Sequence, residues 1–381
     1  MPIPDPLDPL QAVTHPDPYP YYAALARDRP LYHDARLGLW VASSPGAILE
    51  VMRHPAARVR PMAEPVPKGI AAGPAGALFG SFARMTDGAA HACSKRLLAN
   101  FVARQAQHAC SPAWPDPQTK SRADTTTDTG PDAVDVDHYL YAAPVHAQAA
   151  FLGLPAAVLA GCARDIRDFL AALPPAAAAP VIATGHAAAS RLSARLHAHL
   201  QAPQASPALR ELRLEGARAG LDPALLAANL VGLLFQSCEA GAGLLGNALV
   251  LSGRRGASSA LTREQAQTLV DTALRDDPAI HNTRRFLAEP IDAGGQHIEA
   301  GATVLLVLAA AATVQPQAHW PFGALAHACP GRDLARQHAA GALRHLLQAG
   351  TDAAALAARF RYRALPNARI PQFAIPKDAT P

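Results

Sequence analysis

Three groupings in this sequence have residue types and spacings that suit chemistry. Cys329 stands between the loop Phe322-Gly-Ala-Leu-Ala-His-Ala and a run of Leu334, Ala335, Ala339, Ala342, Leu343, Leu346 and Leu347 at helical spacing. Pro330 is preset for a first helical turn and Gly350 for a stop. The cysteine is therefore expected at or just before a helix N-terminus, where free N–H groups and the positive dipole end favour a thiolate. Such a thiolate suits a soft or redox-active metal; the competing reading is a small buried hydrophobe. His91 and Lys95 are four apart on a predicted helix reaching Phe101, and on spacing alone they form an ordinary solvated face. Glu239 is central in a long apolar run. It reads equally as a proton carrier and as a partly buried, hydrogen-bonded carboxylate.

The elements that must carry these groups are mostly helical. Asp222-Pro223 can start a helix that runs through Leu225, Leu226, Asn229, Leu230, Leu233, Leu234 and Glu239 to Leu251. Within it, Gly241-Ala-Gly243-Leu-Leu-Gly246 fits G-x-G-x-x-G, but no strand precedes it and no βαβ pattern surrounds it. Those glycines are read as places where a packed surface approaches the helix. Thr262 caps a helix to Arg275, with Glu264 nearby. Helices are also expected over Tyr21–Arg27, from Ser44-Pro45 to Arg53, and over 137–170 and 185–218. Leu31–His33 and Leu39–Val41 read as a hairpin. Residues 2–20 read as a proline-rich surface wrap, 54–84 as irregular, 112–135 as a polar surface loop and 171–180 as an Ala/Pro connection.

Composition sets the frame. The 381 residues are 50% hydrophobic and 17% charged, with a net charge of +4, which is too small and scattered to argue for nucleic acid. No run of about eighteen apolar residues exists, and Met-Pro-Ile-Pro-Asp-Pro is not a signal peptide. Cys93, Cys110, Cys162, Cys238 and Cys329 form no Cys-x-x-Cys pair and leave one over, so a reducing cytoplasm is expected.

The stretch around Cys329 resembles the haem-binding loop of the cytochrome P450 family, Phe-Gly-x-Gly-x-His-x-Cys-x-Gly, followed by its proximal helix. Phe322, Gly323, His327, Cys329 and Gly331 match. Leu325 stands at the second glycine, where the loop exploits glycine's access to positive φ. The resemblance runs over residues 15–376 within one domain, 1–381, and implies a mainly α fold with small β-sheets. Haem would lie between a long distal helix and the proximal helix of the Cys loop. It also implies haem (heme b) with Cys329 as axial thiolate, Phe322 and Gly331 in the cofactor-binding loop, and the haem carboxylates met by His91, Lys95, Arg285 and His327. Arg285 takes the place of the family's strand arginine, and Lys95 replaces the arginine of a His-x-x-x-Arg pair, losing its bidentate fork. Phe360–Leu365 and Ile370–Ile375 would be terminal strands.

Other positions depart from the family. Glu239 matches the distal acid, but Ala240 and Gly241 follow where an alcohol normally relays protons. In Glu-x-x-Arg, Arg275 fits, while Thr272 replaces the acid and Asp271 lies one residue off, about 100° round the helix. Only Ala309–Pro321 precede Phe322, where the family spends a longer stretch that supplies the third member of a Glu-Arg-Arg network. Arg275 is therefore expected to be solvated or re-paired with Asp276 or Asp277.

The resemblance implies a haem-thiolate oxidoreductase of the monooxygenase type acting on a small hydrophobic substrate. Electrons would come from a ferredoxin- or flavodoxin-type donor with its reductase. Arg96, Arg332, Arg336 and Arg344 are a candidate basic docking face, ordinary exposed charge being the alternative. A cytoplasmic monomer is expected, with no membrane or nucleic-acid partner. The departures favour two other readings: a degenerate relative that holds haem weakly or not at all and does not hydroxylate, and a peroxide-dependent haem enzyme.

Overall fold

The computed structural model describes residues 4–107, 114–117 and 135–374. Most of the expected 112–135 loop, Cys110 and Ile375 lie outside them. After α1 (Tyr19–Asp28), β1 (Leu31–Asp34) and β2 (Leu39–Ala42) form the expected antiparallel hairpin. The Ser44 hydroxyl then accepts from the Ala47 N–H at 3.3 Å and starts α2 (Pro45–Arg53). The 54–84 segment, expected to be irregular, holds β3 (Ala57–Arg58) and α3 (Pro74–Gly80). Gly76 permits that short helix, because a Cβ there would fall 2.3 Å from the Ile70 carbonyl oxygen.

The helical body follows: α4 (Gly88–Ala106), α5 (Val136–Phe151), α6 (Ala156–Ala171), α7 (Ala179–Gln201), α8 (Pro207–Arg218) and α9 (Pro223–Arg254). Asp222 caps α9 by accepting from the Ala224 N–H at 2.7 Å. By length and composition α9 is apolar enough to cross a membrane, yet it is the central core helix. Its first half packs with α3–α8 around Phe79, Phe82, Phe169 and Phe235; its second half packs with α5, α10 (Arg263–Asp276), α12 (Arg332–Gln348) and α13 (Ala353–Ala358). Thr262 and Gln265 cap α10 reciprocally, so the second member of the box is Gln265 and not Glu264. The G-x-G-x-x-G stretch is helix interior. A Cβ on Gly241 would lie 2.5 Å from Pro144, and one on Gly243 2.7 Å from Ala279, so these glycines admit close neighbours as expected.

The larger sheet has the order β1-β2-β7-β4-β3, where β4 is Thr283–Leu287 and β7 is Thr303–Leu306. The β2–β7 pair is parallel and the others antiparallel. The β5 (Ile291–Ala293) and β6 (Gln296–Ile298) hairpin turns through Gly294 and Gly295, both at positive φ. Next, α11 (Leu308–Val314) leads through short 3-10 turns to the Cys loop. Near the C-terminus, β8 (Arg361–Tyr362) pairs with β9 (Pro371–Gln372).

Residues 2–20 do more than wrap the surface. Ala12 and Val13 are fully buried, and Arg369, 1% exposed, donates to the carbonyls of Val13 (2.9 Å), His15 (2.7 Å) and Pro16 (3.1 Å). Its Nε donates to Asp277 at 2.6 Å, and the same carboxylate accepts from the hydroxyls of Tyr19 (2.6 Å) and Tyr362 (2.7 Å).

Candidate functional site

The Cys329 loop is closed by its own backbone: the Cys329 N–H donates to the Phe322 carbonyl at 2.8 Å. Gly323 takes φ 72° and Leu325 takes φ 55°. The left-handed turn is therefore kept although Leu325 carries a side chain, at a conformational cost of about 1–2 kcal/mol. Gly331 caps α12, which starts at Arg332, so Pro330 precedes the first turn instead of forming it. Cys329 is exposed, which removes the buried-hydrophobe reading. The protein crowding it pushes the thiol up, while the Gly331 N–H and the cations Lys95, Arg332 and Arg84 pull it down.

The start of α4 meets this loop. His91 is buried between two carbonyl oxygens, Ala83 at 2.7 Å from Nδ1 and Ala326 at 3.1 Å from Nε2, so the solvated-face reading fails for it. A neutral imidazole can donate to only one of them. Its ring lies 3.9 Å from that of His327, whose Nε2 is 3.4 Å from Asp87 Oδ1. Burial pushes His327 down against the pull of Asp87. Lys95 donates to the Ala328 carbonyl, and burial lowers its affinity for its proton. His91, Lys95, His327 and Cys329 are thus brought together.

Arg285 joins them from β4. It is 5% exposed, donates only to the Arg284 carbonyl at 2.9 Å and has no carboxylate partner among the described residues. Burial, reinforced by Arg84, brings it down to about 10, while Asp87 opposes the shift. The Nε of neighbouring Arg58 is buried without a partner. Arg58 and Arg84 escaped the sequence reading, because they sit in the stretch without periodicity and only tertiary placement delivers them here. Unpaired buried cations are costly, so this edge of the site is built for an anion. A dicarboxylate macrocycle with a thiolate-bound iron fits that demand. No cluster of three or more metal-ligating side chains competes with Cys329 among the described residues.

The α9 helix is bare at its middle. Gln236 is exposed and Ser237, Glu239, Ala240 and Gly241 are part-exposed, in a helix otherwise largely buried. Glu239 makes no hydrogen bond or ion pair among the described residues, and burial raises its pKa. Ala240 offers no donor.

The supporting network is rewired. Arg275 pairs with Asp276 at 2.7 Å on the surface, as expected from its missing partners. Thr272 is buried. Of the candidate docking arginines, Arg336 is held by Asp271, Arg344 donates to the Leu261 carbonyl at 3.0 Å, Arg332 contacts Asp333 at 3.3 Å, and Arg96 is exposed. Arg336 and Arg332 are therefore paired with carboxylates, whereas Arg96 and Arg344 have none among the described residues.

No protein-family model matches the chain, and no curated protein matches it by sequence. Solved structures do. CalO2 is 20% identical with a TM-score of 0.68, covering 97% of this chain and 99% of its own. P450BioI, solved in complex with hexadec-9Z-enoic acid ligated acyl carrier protein, is 18% identical with a TM-score of 0.67, covering 93% and 96%. P450 RauA, complexed with a biosynthetic intermediate of aurachin RE, is 18% identical with a TM-score of 0.66, covering 96% of both chains. Mainly helical with small sheets, and aligned with these proteins over nearly its whole length, this chain has the cytochrome P450 fold.

Proposed function

We propose that the chain is a single-domain haem-thiolate oxidoreductase of the monooxygenase type, acting on a largely apolar substrate in the cytoplasm. Cys329 would ligate the iron of haem b, inside a loop framed by Phe322 and Gly331. Arg285, Lys95, His91 and His327 would meet the haem carboxylates. The observation that carries this is the buried Arg285 guanidinium, which has no anion of its own among the described residues, beside a solvent-reachable cysteine at a helix start. When bound, a thiolate-ligated haem supplies oxygen activation, the electron release of the thiolate favouring O–O cleavage. Arg285 and Lys95 would neutralise carboxylate charge, and the Gly331 N–H would stabilise the Cys329 sulfur. Glu239 would hold a proton at the mid-helix opening; with Ala240 next to it, a water or a substrate hydroxyl must carry that proton onward. A separate ferredoxin- or flavodoxin-type protein would deliver electrons.

One observation favours a second reading. Among the described residues Glu239 has no hydrogen-bond partner, and no alcohol follows it, so the described residues do not complete proton delivery. That suits a peroxide-dependent enzyme, or a relative that binds haem without hydroxylating. The test is the absorption spectrum of the reduced, carbon monoxide-treated protein beside Cys329→Ser. A strongly red-shifted Soret band that disappears in the variant supports the haem-thiolate reading. Failure to take up haem when the precursor is ample ends it. Turnover with peroxide but not with NAD(P)H and a surrogate redox chain selects the peroxide reading.

A further inference from the structure

Arg84 has no role in the assignments above, and its surroundings give it one. It lies in the 3-10 turn Ala83–Met85, which is clamped on three sides. The Ala83 N–H donates to Asn229 of α9 at 2.7 Å, the Ala83 carbonyl meets His91 of α4, and a Cβ on Gly232 would touch Phe82 at 3.1 Å. His91 in turn reaches Ala326 of the Cys loop. The turn therefore sits where the distal helix, α4 and the Cys loop converge. Phe82 and Ala83 are buried, while Arg84 itself is solvent-reachable. Its charge acts on Cys329, Lys95 and Arg285, so the guanidinium lies within electrostatic reach of the cysteine.

Its partners do not account for it. Among the described residues its one hydrogen-bond partner is the Met85 sulfur, 4.0 Å from Nη1, and no carboxylate pairs with it. The protein crowded around it and the charge of neighbouring Arg60 both work against its protonated form. Arg60 is already engaged, by the carbonyls of Pro65 at 3.0 Å and Glu64 at 3.1 Å. Charge counting then decides. Haem b carries two carboxylates, and Arg285 and Lys95 supply two cations for them, with His91 and His327 as further donors. Arg58 and Asp87 act on each other. Arg84 is the cation left over.

We infer that Arg84 binds a carboxylate on the substrate, making the substrate an organic acid with an apolar body. The planar guanidinium matches a carboxylate with two parallel N–H···O bonds, a geometry that a point charge does not impose. Leu233, Ala240 and Gly241, part-exposed on α9, are apolar or small and suit the hydrocarbon part. This inference rests on the preceding reading, in which the space between Cys329 and α9 is the active-site cavity.

The test is calorimetric titration of the purified holoprotein with straight-chain alkanoates of six to twelve carbons and with the alcohols of equal length. Wild type should bind at least one alkanoate about tenfold or more tightly than its alcohol. Arg84→Ala should erase that preference, Arg84→Lys keep part of it, and Arg84→Glu shift preference to the matching alkylamine. No alkanoate preference in wild type, or a preference unchanged in Arg84→Ala, overturns the inference. Haem content, read from the Soret band of the same samples, separates the two proposals. Full haem without acid preference removes only this one, and loss of haem in Arg84→Ala with acid preference intact assigns Arg84 to the cofactor instead. Wild type without haem removes the earlier reading whatever the titration shows.

Discussion

Arg336 grips Asp271 with two hydrogen bonds of 2.7 Å, Nε to Oδ1 and Nη2 to Oδ2, joining the helix that follows Cys329 to α10. This bidentate pair stands where the Glu-x-x-Arg register has slipped by one residue. Asp271 faces α12 and takes over as an anchor, while Arg275 is left to its surface neighbour Asp276.

Because both partners are about a third exposed, the Arg336–Asp271 pair is screened and its coupling should be about 1 kcal/mol. A urea-unfolding double-mutant cycle with Asp271→Asn and Arg336→Gln measures it. Zero coupling would mean that the pair does not brace the Cys loop.

Leu325→Gly should stabilise the protein. Leu325 is 43% exposed, so little burial is lost, while the positive-φ cost is removed. The expected gain is about 1 kcal/mol, less if glycine also loosens the unfolded chain. The change in thermal midpoint reads it, and a lower midpoint refutes it.

Arg285→Met should leave the haem-free protein equally or more stable, by about 1 kcal/mol or more, because a buried charge without a counter-ion is replaced by an apolar chain of similar length. Haem affinity should fall in the same variant. Chemical denaturation without haem and titration with haem give the two numbers, and their opposite signs are the expected outcome.

Acid should weaken the fold well above the carboxylate range. Burial brings His338 and His146 down to about 4 and His281 to about 3. Their folded-state values lie below the unfolded one, so their contribution is present above about pH 6.5 and lost as pH falls toward the folded values, up to about 3 kcal/mol for His338. Among the described residues His338 makes ring contacts with Trp114 and Phe151 and no hydrogen bond, so His338→Leu should flatten part of the drop between pH 7 and 5 in urea titrations. Glu239 carries the opposite sign: its raised value makes its contribution present at low pH and lost as pH rises through that value. Glu239→Gln should therefore match wild type at pH 4 and exceed it at pH 8.

The helices with strong local signals were legible because their information is local. Ser44, Asp222 and Thr262 do cap α2, α9 and α10, and the hairpin Leu31–Ala42 follows from its turn. The cysteine loop, Leu325 included, was readable from one stretch. Glycine sterics named the position that strains, and the backbone shows it at φ 55°. What escaped was set by distant contacts. The short helix α3 needs Gly76 against Ile70, Arg84 enters the site because its turn is held by Asn229 and His91, and Arg58 because β3 pairs with β4 beside Arg285. The pairing of Arg336 escaped for the same reason, since the carboxylate of Asp271 that neutralises it comes from another helix.

The buried Arg369 makes the two chain ends interdependent. Three of its hydrogen bonds end on backbone carbonyls of Val13, His15 and Pro16, so no side-chain substitution in that segment can remove them, but shortening the chain can. Deleting the first sixteen residues would strip those acceptors from a guanidinium with no route to water, and the β8–β9 corner would have to open to hydrate it. The proline-rich leader is in effect a plug seated from outside. Additions at the N-terminus should be tolerated where trimming is not.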